Sequence, residues 1–297
     1  MRNLADRRNT RYSLLQESVV SDYFVEISDG VLRRSSVKRD DARIRWRTFF
    51  RKRGRVMTSG CEEIHASLER LPRIRFPFAG VAMPENGIYF FYEEGEAWGH
   101  GGDAPRIVRV GTHRDGNFRQ RIESHFLSRS SVAPLASDRP KPSDRSIFRK
   151  NIGRALLSKE RDPYLEVWEI DFTTRRNRET LSHERNMEKE LEIEDEITRI
   201  LRTRFSFRFV EIEEEERRMG PDGLERRLIG SLASCSCCKA SPEWLGRHSP
   251  VDRIAESGLW LVQHLSSPSL GRAERDTFEE AVERTLLKYR NTREAGK

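Results

Sequence analysis

The chain has 297 residues, 35% of them charged, 36% hydrophobic and 9% aromatic, with a formal net charge of +7. That length suits one large domain or two small ones, and the aromatic content argues against wholesale disorder. No window approaches the roughly 18 consecutive apolar residues of a membrane span, and Met1 to Arg8 lacks the apolar stretch of a signal peptide, so no membrane partner and a cytoplasmic location are expected.

The charge is unevenly placed. Residues 1–56 hold 13 Arg and 2 Lys against 7 acids, an excess of eight, which leaves residues 57–297 one unit negative. Within the basic part, Arg33-Arg34, Arg43 to Arg47 and Arg51-Lys52-Arg53 cluster around Trp46, Phe49 and Phe50. Three readings stay open for it: a nucleic-acid-binding arm, a disordered extension, or a stretch upstream of a true start at Met57. The expected organisation is a basic extension over 1–56, a domain over 57–270 and a polar helix or tail over 271–297.

Residues 60–71 read as a helix, with Ile64, Leu68 and Leu71 at helical spacing and Pro72 as its stop. Gly87 to Tyr92 reads as a strand, rich in aromatic and β-branched residues. A polar loop over Glu93–Pro105 then leads to a second strand, Arg106 to Gly111, and the pair could close a long hairpin. Gly116-Asn117 opens a helix to about Phe126, with Phe118, Ile122 and Phe126 on one face. Residues 127–145 read as loop, 146–157 as a short helix, and Leu165 to Ile170 alternates like a strand. Residues 184–204 carry Met187, Leu191, Ile197 and Leu201 as a helical stripe. Phe205 to Ile212 is the clearest alternating strand, and Pro221 lies near the start of a helix bearing Leu224, Leu228 and Ile229. This order predicts an α+β domain.

Four cysteines occur, Cys61, Cys235, Cys237 and Cys238. Reduced thiols in a cytosolic loop or helix end are the expectation. Zinc, with His248 nearby, is the alternative, disfavoured because Cys-Ser-Cys-Cys lacks the usual two-to-four-residue gaps between paired ligands.

Gly87-Ile88-Tyr89 followed by Arg109-Val110-Gly111 resembles the paired signature of the GIY-YIG nuclease superfamily. The stretch from Asn117 to Phe126 is similar to that family's Asn-Leu-x-x-Arg-hydrophobic-x-x-His helix, and Leu224-Glu225-Arg226-Arg227-Leu228-Ile229 to its Glu-x-x-Leu-Ile helix. Ser146 to Gly153, Ser241 to Gly246 and Ser257 to Trp260 look like a bacterial subgroup with a long insertion before the final strand. The resemblance covers roughly residues 60–265. It implies a small central antiparallel sheet flanked by helices, with insertions, and metal-dependent hydrolysis of DNA in repair, restriction or defence. Each motif is weak alone; their order on the right element types carries the signal.

The chemistry fits the residue types. Cutting a phosphodiester needs a nucleophilic water, neutralised phosphoryl oxygens and a path for the leaving group's proton. Glu225 is the expected ligand of a divalent cation, Mg²⁺ or Mn²⁺, which prefers oxygen donors and few protein carboxylates. Arg121 suits a non-bridging phosphate oxygen. Tyr89 would contact the attacking water, with assistance from metal or arginine, since a phenol of unperturbed pKa near ~10 is a poor base. His125 would hydrogen-bond Tyr89, shuttle a proton, or simply pack its helix on the sheet. Arg109, His113, Arg119, Arg149 and Lys150 are the candidate contacts to nucleic acid.

Two departures from the family pattern matter. Arg109 stands where a second tyrosine is usual: pointing in, it replaces a phosphate contact; pointing out, it leaves the site weakened. The family's late Asn is not evident, and Ser241 to Gly246 occupies its neighbourhood. Trp244 and Trp260 are either base-stacking platforms or, more commonly for such residues, core. Two further functions remain: a nucleic-acid-binding module with weakened chemistry, and a protein that binds partners through the acidic runs Glu184–Glu196 and Glu211–Glu216.

Overall fold

A computed structural model of the chain describes residues 25–28, 31–34, 60–101, 103–114, 116–126 and 136–295. The basic clusters of residues 43–53, the proposed start at Met57 and residues 127–135 of the expected 127–145 loop lie outside the described residues. The chain divides into two units, Met1–Met57 and Thr58–Lys297. In the first, β1 (Val25–Ser28) and β2 (Val31–Arg34) pair antiparallel, with Ser28 opposite Val31.

The second unit is built on a four-stranded antiparallel sheet. Its strands are β3 (Ile74–Arg75), β4 (Gly87–Ala97), β5 (Pro105–Gly111) and β6 (Phe205–Glu211), in the order β3-β6-β4-β5. β4 and β5 form the expected long hairpin, from Tyr89 opposite Gly111 to Ala97 opposite Pro105. Gly87 to Tyr92 shows no polar alternation because both faces are covered by helices. Tyr89 and Phe91 point into one core with Phe126, Phe148, Ile197, Phe207 and Phe209. Ile88, Phe90 and Tyr92 point into the other with Ile64, Leu68, Leu228 and Val282. The fold is α+β, as expected.

β4 runs five residues beyond the predicted strand, through Glu93–Ala97. These polar residues have internal partners: the Glu93 carboxylate accepts both the Trp244 and Trp260 indole N–H groups, at 2.9 and 3.0 Å, and Glu96 pairs with Arg106 across the hairpin. Burial leaves the Glu93 carboxyl above its ordinary range, with the two indoles and Arg204 opposing. Trp244 and Trp260 are therefore core residues, 1% and 0% exposed, and present no face to a base.

Leu165 to Ile170 is not a strand. Leu165–Glu169 is a short helix. Asp162 starts it by accepting the Tyr164 amide on its side chain (2.9 Å) and the Leu165 amide on its carbonyl (3.1 Å). The buried residues are Tyr164 and Trp168, four apart, which is helical rather than strand spacing. The polar connection between the sheet's second and last long strands is largely helical, including Ile147–Glu160 and Met187–Arg204. Helix Leu224–Ala233 starts after Gly223, three residues past Pro221. Helix Arg272–Ala295 lays Phe278, Ala281 and Val282 on the sheet, and Thr285 accepts the Glu211 amide at 2.9 Å. Among the described residues no helix is long and apolar enough to cross a membrane.

Candidate active site

A cleft of about 320 Å³ opens at the end of the β4–β5 hairpin, with Tyr89, Arg109, Arg121, Glu225, Gln263 and His264 among the residues that line it. Each side chain arrives by a separate structural reason. Tyr89 is held by β4, with its ring edge-on to Phe91 and Phe118. Gly111 lies opposite it, and a Cβ built on Gly111 would collide with the phenol. The glycine closing the second triplet is thus a requirement of the tyrosine in the first. The Gly111→Ala variant should displace the hydroxyl and lower cleavage about 10²-fold, the cost of an ångström-scale misplacement. It should lose only about 1–3 kcal/mol of stability, as overpacking does. Turnover measured beside a denaturant melt checks this, and wild-type turnover would refute the assignment.

Arg109 points inward by strand alternation: it lies two residues from Gly111, which faces Tyr89, and so shares the Tyr89–Phe91 face. The β4–β5 register shifts between Phe91 and Tyr92: Phe91 faces Arg109, but Tyr92 faces Ile107. Val108 is the extra residue of a β-bulge, which turns Ile107 to the opposite face although it stands two residues from Arg109. Its guanidinium sits 4.9 Å from the Phe148 ring centroid and donates to the Trp260 carbonyl, while its buried Nε has no hydrogen-bond partner. Burial lowers its pKa, with Tyr89 and Glu225 opposing and Arg121 adding to the fall.

Helix Phe118–Phe126 buries Phe118, Ile122, His125 and Phe126, and brings Arg121 to the cleft. His125 lies one turn further on, fully buried beneath it. Its Nε2 is 3.2 Å from the Tyr89 hydroxyl and its Nδ1 2.8 Å from Ser146 Oγ. Burial, then Arg121, Arg109 and Arg149, hold the imidazole well below its ordinary pKa, hence neutral. Glu225 sits in the first turn of helix Leu224–Ala233, beside the cleft. Burial raises its carboxyl pKa, and Arg109, the Thr112 amide and Arg121 pull it back.

Other expected contacts are not brought to the cleft. Arg149 is fully buried and binds Glu194 at 2.6 Å. Lys150, 7% exposed, donates to the Glu169 carbonyl at 2.9 Å and faces Asp144 at 3.7 Å. Both are internal cations and cannot meet a phosphate backbone. His113 is buried against Phe118, with Nδ1 at 2.6 Å from the Arg114 carbonyl. Arg119 is half-exposed, donates to the Val81 carbonyl and faces Glu123 at 3.6 Å. The acidic runs are partly internal: Glu190 and Glu194 are buried against Arg185 and Arg149 and Glu211 pairs with Lys288, whereas Glu184, Glu188, Glu192, Glu213, Glu214 and Glu216 are exposed. Ser241 bonds to Glu96 rather than entering the cleft.

The site also contains residues that sequence reading missed. Asn151 lines the cleft, with its Oδ1 accepting from Arg154 at 2.7 Å. Gln263 and His264 come from an irregular segment, where His264 adopts a left-handed φ of 63°. Asn151 lies inside the Ser146–Gly153 run that resembles the family, which was a usable signal; no periodicity marks Gln263 or His264.

A family model for the GIY-YIG domain matches residues 65–288, most of the chain. This chain belongs to the GIY-YIG family. No curated protein and no solved structure matches it. Membership of the GIY-YIG family points to a nuclease that acts on nucleic acid, and the match includes every cleft residue named above.

Proposed function

We propose that the chain is a metal-dependent endonuclease that hydrolyses phosphodiester bonds in DNA at the Tyr89–Arg109–Arg121–Glu225 cleft. The observation that carries this reading is the convergence of one phenol, two guanidiniums and one carboxylate on a single hollow, from four different elements. The donor set fits a hard divalent cation. Glu225 is the only carboxylate among the described lining residues, which also include Gln263, and Mg²⁺ or Mn²⁺ needs few protein carboxylates because it keeps water ligands. When bound at Glu225, such an ion supplies Lewis-acid stabilisation of the phosphoryl and leaving oxygens.

The chain's own groups supply the rest. Arg121, half-buried at the cleft wall, grips a non-bridging oxygen. Arg109, which lines the same cleft, provides the second positive charge there in place of the family's tyrosine. Tyr89 positions the attacking water through its hydroxyl. His125 orients that hydroxyl and does not store a proton, since burial and three arginines disfavour its imidazolium.

The buried Glu225 sets a pH dependence. Its pKa lies above the ordinary carboxyl range, and only the ionised form holds a cation. Cleavage should therefore rise with pH through that elevated value and fail below it. Arg109 is the first of the groups lowering that pKa, so Arg109→Ala should move the acid limb of kcat/KM upward. An unmoved limb would detach Glu225 from the rate.

A second reading, a binding module without chemistry, is favoured only by the arginine at the tyrosine position. Incubating the full chain with duplex DNA, single-stranded DNA, branched DNA and RNA, with and without Mg²⁺, separates the two. Metal-dependent cleavage of a DNA substrate supports the nuclease. Salt-dependent binding of all four without cleavage supports the module, and cleavage of RNA alone would overturn the assignment to DNA.

A further inference from the structure

We infer that Cys61, His100, Cys235 and Cys238 form a structural zinc site, separate from the cleft. The four residues come from three places: the first turn of helix Gly60–Leu68, the connection between β4 and β5, and the segment after helix Leu224–Ala233. Their donor atoms all lie within 4.8 Å of one another. Cys61 Sγ is 3.6 Å from Cys238 Sγ, and Cys235 Sγ is 3.3 Å from His100 Nε2. Tetrahedral zinc, with bonds of about 2.3 Å to sulfur and about 2.0 Å to nitrogen, places neighbouring donors roughly 3.5–3.8 Å apart. A disulfide would need sulfurs at about 2.0 Å.

The surroundings also suit a bound cation. Cys235 and Cys238 are separated by two residues, an ordinary spacing for a pair of zinc ligands. The expectation that Cys-Ser-Cys-Cys lacks such a gap overlooked this pair. The Gly99 amide donates to Cys238 Sγ at 3.3 Å, the hydrogen bond that steadies a metal-bound thiolate. A Cβ on Gly99 would run into the Cys237 carbonyl, so only glycine lets the two segments approach this closely. His65 lies against Cys61 without being a ligand. Its Nε2 accepts the Ile107 amide at 3.1 Å, which leaves Nδ1–H to donate to the Cys61 carbonyl at 2.9 Å. It fixes the Cys61 backbone as an outer partner. Trp98 packs its ring within 5.7 Å of His100 and 5.5 Å of His65, covering the cluster. Cys237 is exposed, and His248 is exposed at the end of the 3-10 helix Leu245–His248; neither belongs to the donor cluster.

Four protein ligands close the coordination sphere, which makes the site structural. It pins the far end of the helix whose first turn carries Glu225. Its role is to hold that helix against the hairpin, and it stands whether or not the cleft cuts DNA.

Metal analysis by plasma mass spectrometry, on the full chain purified without chelator under reducing conditions, tests this. The expected result is about one zinc per chain, retained by C237S and lost by C235S/C238S. Should that double variant fail to fold, the wild-type chain still decides. Replacing its metal with Co²⁺ should produce a thiolate-to-cobalt charge-transfer band and tetrahedral d–d bands, which Zn²⁺ then abolishes, and stripping the zinc should lower the melting temperature. The inference is overturned if the reduced chain holds no zinc and gives no thiolate–cobalt band, if iron occupies the site, or if C237S loses the metal.

Discussion

Replacing Glu225 with Gln should lower the rate of metal-dependent cleavage about 10³-fold or more while leaving affinity for uncut DNA within about threefold. That is the scale on which removal of one preorganised transition-state contact is felt. Glu225 is the only carboxylate among the described residues that line the cleft, so none of the others can replace it as the anionic ligand. The amide keeps the shape of the side chain and removes its charge. Binding persists because Arg109 and Arg121 stay, and one fewer negative charge faces the phosphate. Single-turnover cleavage and a binding titration at the same salt concentration separate the two effects. Equal rates for Glu225→Gln and wild type would remove Glu225 from the chemistry.

The second large effect concerns stability. Arg149 donates to Glu194 Oε2 from Nε at 3.1 Å and Nη2 at 2.6 Å, to the Glu194 carbonyl at 2.9 Å, to Thr198 at 2.8 Å and to the His125 carbonyl at 3.0 Å. Glu194 also accepts the Ser143 amide at 2.8 Å. Neither side chain of the pair is exposed. Deleting one partner strands a buried charge, which costs about 3–5 kcal/mol. For a domain of this size that is a fall in melting temperature of roughly 10 °C. Arg149→Met should show it, and adding Glu194→Leu should recover part of it, since both charges then leave together. A melting curve within about 1 °C of wild type would mean the network contributes little. Because Arg149 holds the backbone at His125, the single variant should also disturb Tyr89 and slow cleavage.

How much of this could be read before folding depends on whether the information was local. The aromatic run from Gly87 to Tyr92, the alternation of β6 and the stripe of Met187–Arg204 are local patterns, and each forms the element it predicted. The convergence of Tyr89, Arg121 and Glu225 was legible only through the order of the family motifs. The direction of Arg109 follows from its two-residue spacing to Gly111, but only once Gly111 is paired with Tyr89 across the hairpin, which the strand's own sequence does not supply. Arg149 and Lys150 resemble surface cations in a charged stretch. Their burial is set by Glu194, Asp144 and the Glu169 carbonyl, which reach them only through tertiary packing. Leu165 to Ile170 misled because its alternating Leu165 and Val167 are only half-buried, while the pair the helix buries, Tyr164 and Trp168, begins one residue before that run. The cysteine cluster combines both cases: the Cys235–Cys238 spacing was present in the sequence, whereas Cys61 and His100 join it only through packing.

The most direct test of the cleft is plasmid nicking by the purified full chain, followed over time with Mg²⁺ and with Mg²⁺ plus excess chelator. Nicked and then linear plasmid is expected with Mg²⁺ alone, and intact supercoiled plasmid once the ion is sequestered. Supercoiled plasmid that stays intact with both Mg²⁺ and Mn²⁺, although the chain is bound to it, would contradict the nuclease assignment.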